Sequence, residues 1–354
     1  MALPDRFELL RQLASNEQMR EILRRYKQDT DIPEAKQQLL IGGNREDLLG
    51  RLEAAVYEDL IPEEEIDDLV RECEENGRQY ILYFRPRTKE VAAIAGDGAG
   101  VANSLFGKGW SSKMNFPRYF EDSKAHFEET QKSVWADFRI RPSGKHQDWI
   151  AKLYTREKSL RLEKSETKPD GRVVKTFEPI IERVVWVARW NPPDLLEVRI
   201  SRCESRTTLS LRVNSVWKHF SKLFDRETDF IEWDVRAIRK RMLAERQKHA
   251  TIYVPGSVQL TDSQSGKVSV HPNTPEEGTD DAAERGVAID AILSHGSSVC
   301  DHLVITFLAE TSEGQLERDI RITLGSKYDH EILVPSHATS TAIDYVTNKL
   351  RSFA

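Results

Sequence analysis

The stretch that most constrains this chain is Glu182 to Trp190, ERVVWVARW. Side chains along an extended strand alternate between two faces. Here that places Val184, Trp186, Ala188 and Trp190 together and Arg183, Val185, Val187 and Arg189 opposite. One face is apolar and aromatic; the other carries two arginines. Neighbouring segments repeat the pattern. Ala136, Phe138 and Ile140 alternate with Asp137, Arg139 and Arg141, and Leu196, Val198 and Ile200 alternate with Glu197, Arg199 and Ser201. The spacing predicts strands of one sheet with a core face and an arginine-bearing face.

The charge is unevenly spread along the chain. Residues 1–78 carry 11 Lys+Arg against 20 Asp+Glu, residues 79–250 carry 34 against 23, and residues 251–354 carry 7 against 15. A basic middle between acidic ends points to an anionic partner for the middle. The other reading is that the acidic ends pack on the centre and neutralise it. No run approaches the roughly 18 apolar residues of a membrane span, so no membrane partner is expected. The opening residues carry acids early and lack an apolar signal core, which predicts no secretory leader. Cys73, Cys203 and Cys300 are widely separated and read as reduced thiols. The expected location is cytoplasmic, or nuclear in a eukaryote.

The fold class expected is α+β: an N-terminal helical bundle, a central antiparallel β-meander with two helices, and a small C-terminal α/β unit. Residues 1–78 read as an acidic bundle of about five short helices. Asn44 is placed as an N-cap, Pro62 opens the next helix, and Asn76-Gly77 closes it. Residues 79–260 read as a basic, mainly β domain, 261–286 as a flexible linker or loop rich in Ser, Pro, Gly, Thr and acids, and 287–354 as the C-terminal unit. The run NREDLLGRLEAAVYEDLIPEEEIDDL leading into the strand RQYILYF resembles the death-fold type of adaptor domain. In layout it is similar to the pyrin-like bundle that opens the centromere protein N family, where a helical domain precedes a mostly β, DNA-contacting region. That resemblance implies a protein- or nucleosome-facing adaptor.

Gln79 to Phe84 is a strong strand signal, with Val91 to Ile94 expected to pair with it. Five glycines between 96 and 109 predict a loop, after which aromatic and basic residues interleave: Phe106, Lys108, Trp110, Lys113. A phosphate-binding P-loop fails here, because Gly109 stands where Ser or Thr is needed. A stacking loop, with aromatics for bases and lysines for phosphates, is one reading; a loop that folds its aromatics under the sheet is the other. Lys168-Pro169-Asp170-Gly171 and Asn191-Pro192-Pro193-Asp194 are turn signals between strands. A helical stripe runs from Leu209 to Phe224, and a second helix follows Asp234 with Val235, Ile238 and Met242 inward. Arg236, Arg239, Lys240, Arg241, Arg246 and Lys248 are then spread over its other faces. Such a basic amphipathic helix suits nucleic acid, anionic lipid or an acidic partner surface, or pairs with the acidic N-terminal domain.

Catalytic signals are thin. His295, Cys300 and His302 lack the paired spacing of a zinc site, and Asp148 with Glu166-Thr167-Lys168 fits only the letters of a metal-nuclease pattern. Nothing points to a cofactor. The leading expectation is a non-enzymatic nucleic-acid-binding or adaptor protein, with DNA or RNA as the anionic partner and protein contacts through residues 1–78. The candidate nucleic-acid-binding residues are Arg139, Arg141, Arg183, Arg189, Arg199, Arg236, Arg239, Lys240, Arg241, Lys108, Trp110 and Lys113. The alternatives are a salt-sensitive, self-associating assembly subunit without nucleic acid, and a metal-dependent nuclease.

Overall fold

The computed structural model describes residues 3–27, 43–113, 133–143, 146–168, 171–203, 205–262, 266–272, 278, 283–294, 297–335 and 338–354. For residues 3–5, 112–113, 142–143, 146, 158–163, 179–183 and 283 the description is of backbone alone.

The N-terminal helices are α1 (Leu3–Leu13), α2 (Asn16–Lys27), α3 (Arg45–Tyr57) and α4 (Glu63–Asn76). Leu10, Met19, Ile22, Leu52, Ile66 and Val70 meet in their core. The Asn44 side chain caps α3 by accepting from the Asp47 amide at 3.1 Å. Arg45 donates to the Leu10, Arg11 and Ala14 carbonyls. A cation thus closes the negative end of α1.

The hub of the remainder is β1 (Gln79–Pro86). It lies inside an 11-stranded antiparallel sheet of order β2-β3-β4-β5-β1-β11-β10-β9-β7-β8, with β6 also paired to β1. The meander is β2 (Val134–Ser143), β3 (His146–Thr167), β4 (Val173–Asn191) and β5 (Leu195–Ser201). The other half is β6 (Phe230–Glu232), β7 (Tyr253–Thr261), β8 (Lys267–Val270), β9 (Val299–Phe307), β10 (Ile320–Leu324) and β11 (Glu331–Leu333). Because β11 pairs with β1 through Ile81↔Ile332, the C-terminal strands belong to the same sheet as the meander. The segment expected as a linker contributes β8, paired Val258↔Val270.

Alternation along β1 divides the core. Tyr80, Leu82 and Phe84 join Trp149, Trp186, Trp190 and Val198 in one cluster. Ile81 and Tyr83 join Leu303, Ile305, Ile322 and Ile332 in another. The first cluster is roofed by α8 (Arg206–Phe220) through Leu209, Val213 and Phe220. The second is closed by α10 (Arg236–Ala244) and α12 (Ser340–Ser352) through Ile238, Met242, Ile343 and Val346. Short α9 (Arg226–Asp229) and α11 (Ala283–Ser294) complete the elements that follow the meander.

Two expectations are corrected. The segment expected as a strand near Val91 and a loop beyond it forms α5 (Lys89–Gly96), α6 (Gly98–Phe106) and α7 (Trp110–Lys113). Caps decide this: Thr88 Oγ1 accepts from Val91 N at 3.2 Å and Asp97 Oδ1 from Gly100 N at 2.9 Å. Ala136 also leaves the face of Phe138 and joins Ile150, Tyr154, Val185 and Val187. A register shift between Trp135 and Asp137 is the cause, since a bulge reverses the alternation before it.

Candidate functional site

The arginine-bearing face of the meander is covered, not open. Helix α4 lies across it, and α12 covers the end near Asn191. Lys152 projects from β3 to Glu74 at 2.9 Å and to Glu75 at 3.4 Å, with all three side chains 5% exposed or less. Tyr154 donates its hydroxyl to Glu74 Oε2 at 3.0 Å. Arg139 pairs with Glu75, and its Nε lies 2.7 Å from Asp137. Arg189 donates to Asp148 Oδ2 at 2.7 Å and to Asp344 of α12 at 3.1 Å. Arg199 donates to Glu197 Oε2 at 2.6 Å and to the Glu75 carbonyl at 3.1 Å. Asn191 donates to Glu197 Oε1 at 2.7 Å, while Arg351 donates to the Asn191 carbonyl at 2.8 Å.

This charged seam is internally matched. Burial alone would push the Glu75 and Glu197 carboxyls up, yet both are held below the usual range by Lys152 and Arg139 in one case and by Arg199 and Arg189 in the other. Burial would pull Lys152 down; Glu74 and Glu75 outweigh it and hold the ammonium above its ordinary value. Glu72 differs. Burial raises it although it accepts the Ser340 amide at the start of α12 at 2.5 Å.

The other sequence-selected residues are scattered. Arg141 is 42% exposed and sits 3.7 Å from Asp148. Arg183 lies opposite Arg156 on the β3–β4 ladder, and its side chain falls outside the described residues. On α10, Arg236 is held by Asp234 and Arg241 by Glu245 at 3.0 Å. Lys240 donates to the Ser298 carbonyl at 2.9 Å.

Arg239 is fully buried and reaches Asp329 at 2.7 Å, and Arg246 is almost as deep, 2.8 Å from Asp290. Both were expected on outward faces; their long stems carry the charge under the helix instead. Space for Arg239 comes from Gly325, at φ +72, where an added Cβ would fall 1.4 Å from the guanidinium.

Lys108 is exposed, Lys113 ends α7 with its side chain outside the described residues, and Trp110 packs on Phe106 and Phe138 at 6.0 and 5.5 Å between ring centres. Its ring is therefore turned under the sheet. The nuclease letters are not assembled: Asp148 is tied to Arg189, while Glu166 pairs with Lys164 near the other end of β3, about 60 Å along the strand. Cys300 is buried, with its thiol pushed up to about 12 by burial. His295 lies outside the described residues. Among the described residues no group of three His, Cys, Asp or Glu side chains is placed to hold a metal, and no helix is long and apolar enough to cross a membrane.

Sequence reasoning placed the β3–β4 hairpin and its dense lysines and arginines, but took them for a solvated face and left its outer part out of the candidate site. Beyond Tyr154 and Val184, β3 and β4 pair only with each other among the described strands, as far as Thr167↔Val173. The turn closes with Gly171 at φ +80, its amide donating to the Lys168 carbonyl at 2.9 Å. From Glu157, which is anchored by Arg212 of α8, the ribbon reaches about 35 Å past the sheet. Residues 164–168 and 171–178 of this arm are all exposed. Val173, Val174 and Phe177 are 57, 39 and 49% exposed, beside Lys164, Lys168, Arg172 and Lys175. The signal was present in the sequence as an x-P-D-G turn flanked by apolar and basic residues.

A second open feature is a cleft of about 410 Å³ on the helical domain, between α2, α4 and the chain before β10. Glu17, Glu21, Glu65, Asp68, Glu72 and Glu317 line it, against Arg24, Arg25 and Arg318, with Ile22 and Leu69 at its floor. No protein-family model matches the sequence, and neither a curated protein nor a solved structure matches it.

Proposed function

We propose that this chain is a non-enzymatic adaptor whose binding element is the β3–β4 arm, and that the arm takes an acidic protein surface. The observation that carries the reading is the exposure of Val173, Val174 and Phe177 on a two-stranded ribbon whose tip carries Lys164, Lys168, Arg172 and Lys175 among Glu166, Asp170 and Glu178. A two-stranded hairpin gains little stability on its own, and exposed apolar side chains rimmed by charge mark contact surfaces. By contrast, the arginines of the meander already have carboxylates: Arg139, Arg189 and Arg199 would have to release Glu75, Asp148 and Glu197 before meeting phosphate. Those exchanges break buried pairs, at a cost of about 3–5 kcal/mol each. On the arm, Lys164 pairs with Glu166 in the open, where exchange costs little.

The test uses a fluorescent peptide of alternating Glu and Leu, titrated with the full chain at low salt. K164E/K168E/R172E/K175E is expected to weaken binding more than tenfold, and V174S/F177S about fivefold. Duplex DNA serves as the competing probe. Tight DNA binding that falls with the charge variant and ignores V174S/F177S would transfer the arm to the nucleic-acid reading; unchanged peptide binding in both variants would remove the arm from function.

A further inference from the structure

We propose a binding site separate from the arm, a cleft of about 560 Å³ between α5, the start of β3 and the end of β4, that takes a short extended peptide carrying a carboxylate. The atom that points to a ligand is Trp190 Nε1. Trp190 is only 1% exposed and stands in the meander core opposite Trp149 of β3, yet it lines the cleft. Its indole N–H has no hydrogen-bond partner among the described residues, and unlike those of Trp186 and Trp217 it is not sealed in. Gly96 leaves it open: a Cβ at this position would stand 3.7 Å from Nε1, and without one the N–H is reached from the cleft. Trp149, by contrast, donates its own N–H to the Ala95 carbonyl at 2.7 Å. The core therefore holds the Trp190 ring in place while one donor faces outward.

The groups around that donor complement an amide. Gln147 accepts the Gly98 amide on Oε1 at 2.8 Å, and its Nε2 has no partner among the described residues. Asp97 adds a carboxylate to the same end of the cleft. A peptide unit offers a carbonyl to the indole N–H and an N–H to the carboxylate, whereas Asp97 repels an anion placed there. The anion belongs at the other end. Lys89, Ala92, Ala93 and Gly96 share one face of α5, so Lys89 stands about 10 Å from Gly96 along the helix axis. Lys89 is exposed and has no ion pair among the described residues. About three extended residues cover that span. Between the two ends Ala92, Ala93 and Gly96 present little side chain, which lets a second backbone lie close. The volume is that of a small-ligand site.

The experiment titrates N-acetyl-trialanine, with its carboxylate free, into the full chain and follows the indole N–H signals of the seven tryptophans by NMR. Gly96→Ala identifies the Trp190 signal, because it places a methyl beside Nε1. That signal is expected to move downfield and to saturate as a hydrogen bond forms. Lys89→Glu should weaken binding tenfold or more. The C-terminal amide of the probe should be weaker than the acid by a similar factor and should not respond to Lys89→Glu. Acetyl-Ala-Ala-Glu-amide separates the two sources of a carboxylate: binding as tight as the acid's supports the site for an acidic side chain, and weaker binding supports it for a chain terminus. The arm variant K164E/K168E/R172E/K175E should bind the probe as wild type does, so this result stands or falls apart from the arm. Indole signals other than that of Trp190 keep their positions in Lys89→Glu if the variant is folded. A Trp190 signal that the probe leaves in place, an acid and amide that bind alike, or binding that survives Lys89→Glu overturns the proposal and leaves this N–H to water.

Discussion

His330, just before β11, and Glu331, its first residue, hold opposite charge chemistry in check. Burial lowers His330 from 6.5 to about 4, with its Nδ1 3.2 Å from Glu232. Burial raises Glu331 from 4.5 to about 7; it accepts the Lys327 amide at 2.5 Å, and its Oε2 has no partner among the described residues. A lowered histidine contributes stability above pH 6.5 that is lost as pH falls toward 4. A raised carboxyl contributes stability below pH 4.5 that is lost as pH rises through 7. Between those limits folding moves one proton from the imidazole to the carboxyl, so the two slopes cancel. Each single variant should uncover one slope. Glu331→Gln should leave a protein whose stability rises from pH 4 to 6.5, and His330→Asn one whose stability falls from pH 4.5 to 7, each by on the order of 3 kcal/mol. Urea melts across pH 4–8 measure this. If both variants keep the wild-type profile, neither group titrates abnormally.

At the scale of elements, the arm should be separable from the fold. Its described outer residues are exposed, and its base is fixed by Arg212 on Glu157. Replacing residues 162–177 with Asn-Gly joins Arg161 to Glu178, which already face each other, through a two-residue loop that suits a hairpin. Stability should change by less than about 0.5 kcal/mol, the range of exposed substitutions, while Glu–Leu peptide binding is lost. A drop of many degrees in Tm would show that the arm packs on the body. Much at this scale was legible in the sequence. Asn44, the Lys168–Gly171 turn, the Asn191–Asp194 turn and the stripe from Leu209 to Phe220 all act locally, through caps and periodicity. Helix α5 was missed because Val91 and Ile94 were read as strand although Lys89, Glu90 and three alanines favour a helix, and α6 because its glycines argue against one until Asp97 caps it. The bulge at Trp135 was equally hidden, since a single inserted residue leaves no mark in composition.

At the scale of the molecule, the sequence carried the charge asymmetry but not its resolution. An arginine on a strand face looks the same whether water, phosphate or Glu75 lies over it, and only tertiary packing brings α4 and α12 onto Arg139, Arg189 and Arg199. Lys152 tests how tightly that cover is sealed, because it meets both Glu74 and Glu75 at the centre of the seam. Lys152→Met nearly keeps the length of the side chain and removes its charge, taking the ammonium from buried Glu74 and leaving Glu75 with Arg139. The expected loss at pH 7 is about 3–5 kcal/mol in urea melts. In the wild type Glu75 is held low, so its contribution is present above pH 4.5 and is lost as pH falls through its folded value. In Lys152→Met the sign reverses: the buried Glu74 carboxylate, without its ammonium, takes up a proton, and the deficit shrinks as pH falls. Adding Glu74→Gln should recover part of the loss at pH 7, since it removes the buried charge that Lys152 balanced. A cost below about 1 kcal/mol would instead be that of a solvated ion pair. Water would then reach the seam, and its arginines would stand open to outside anions after all.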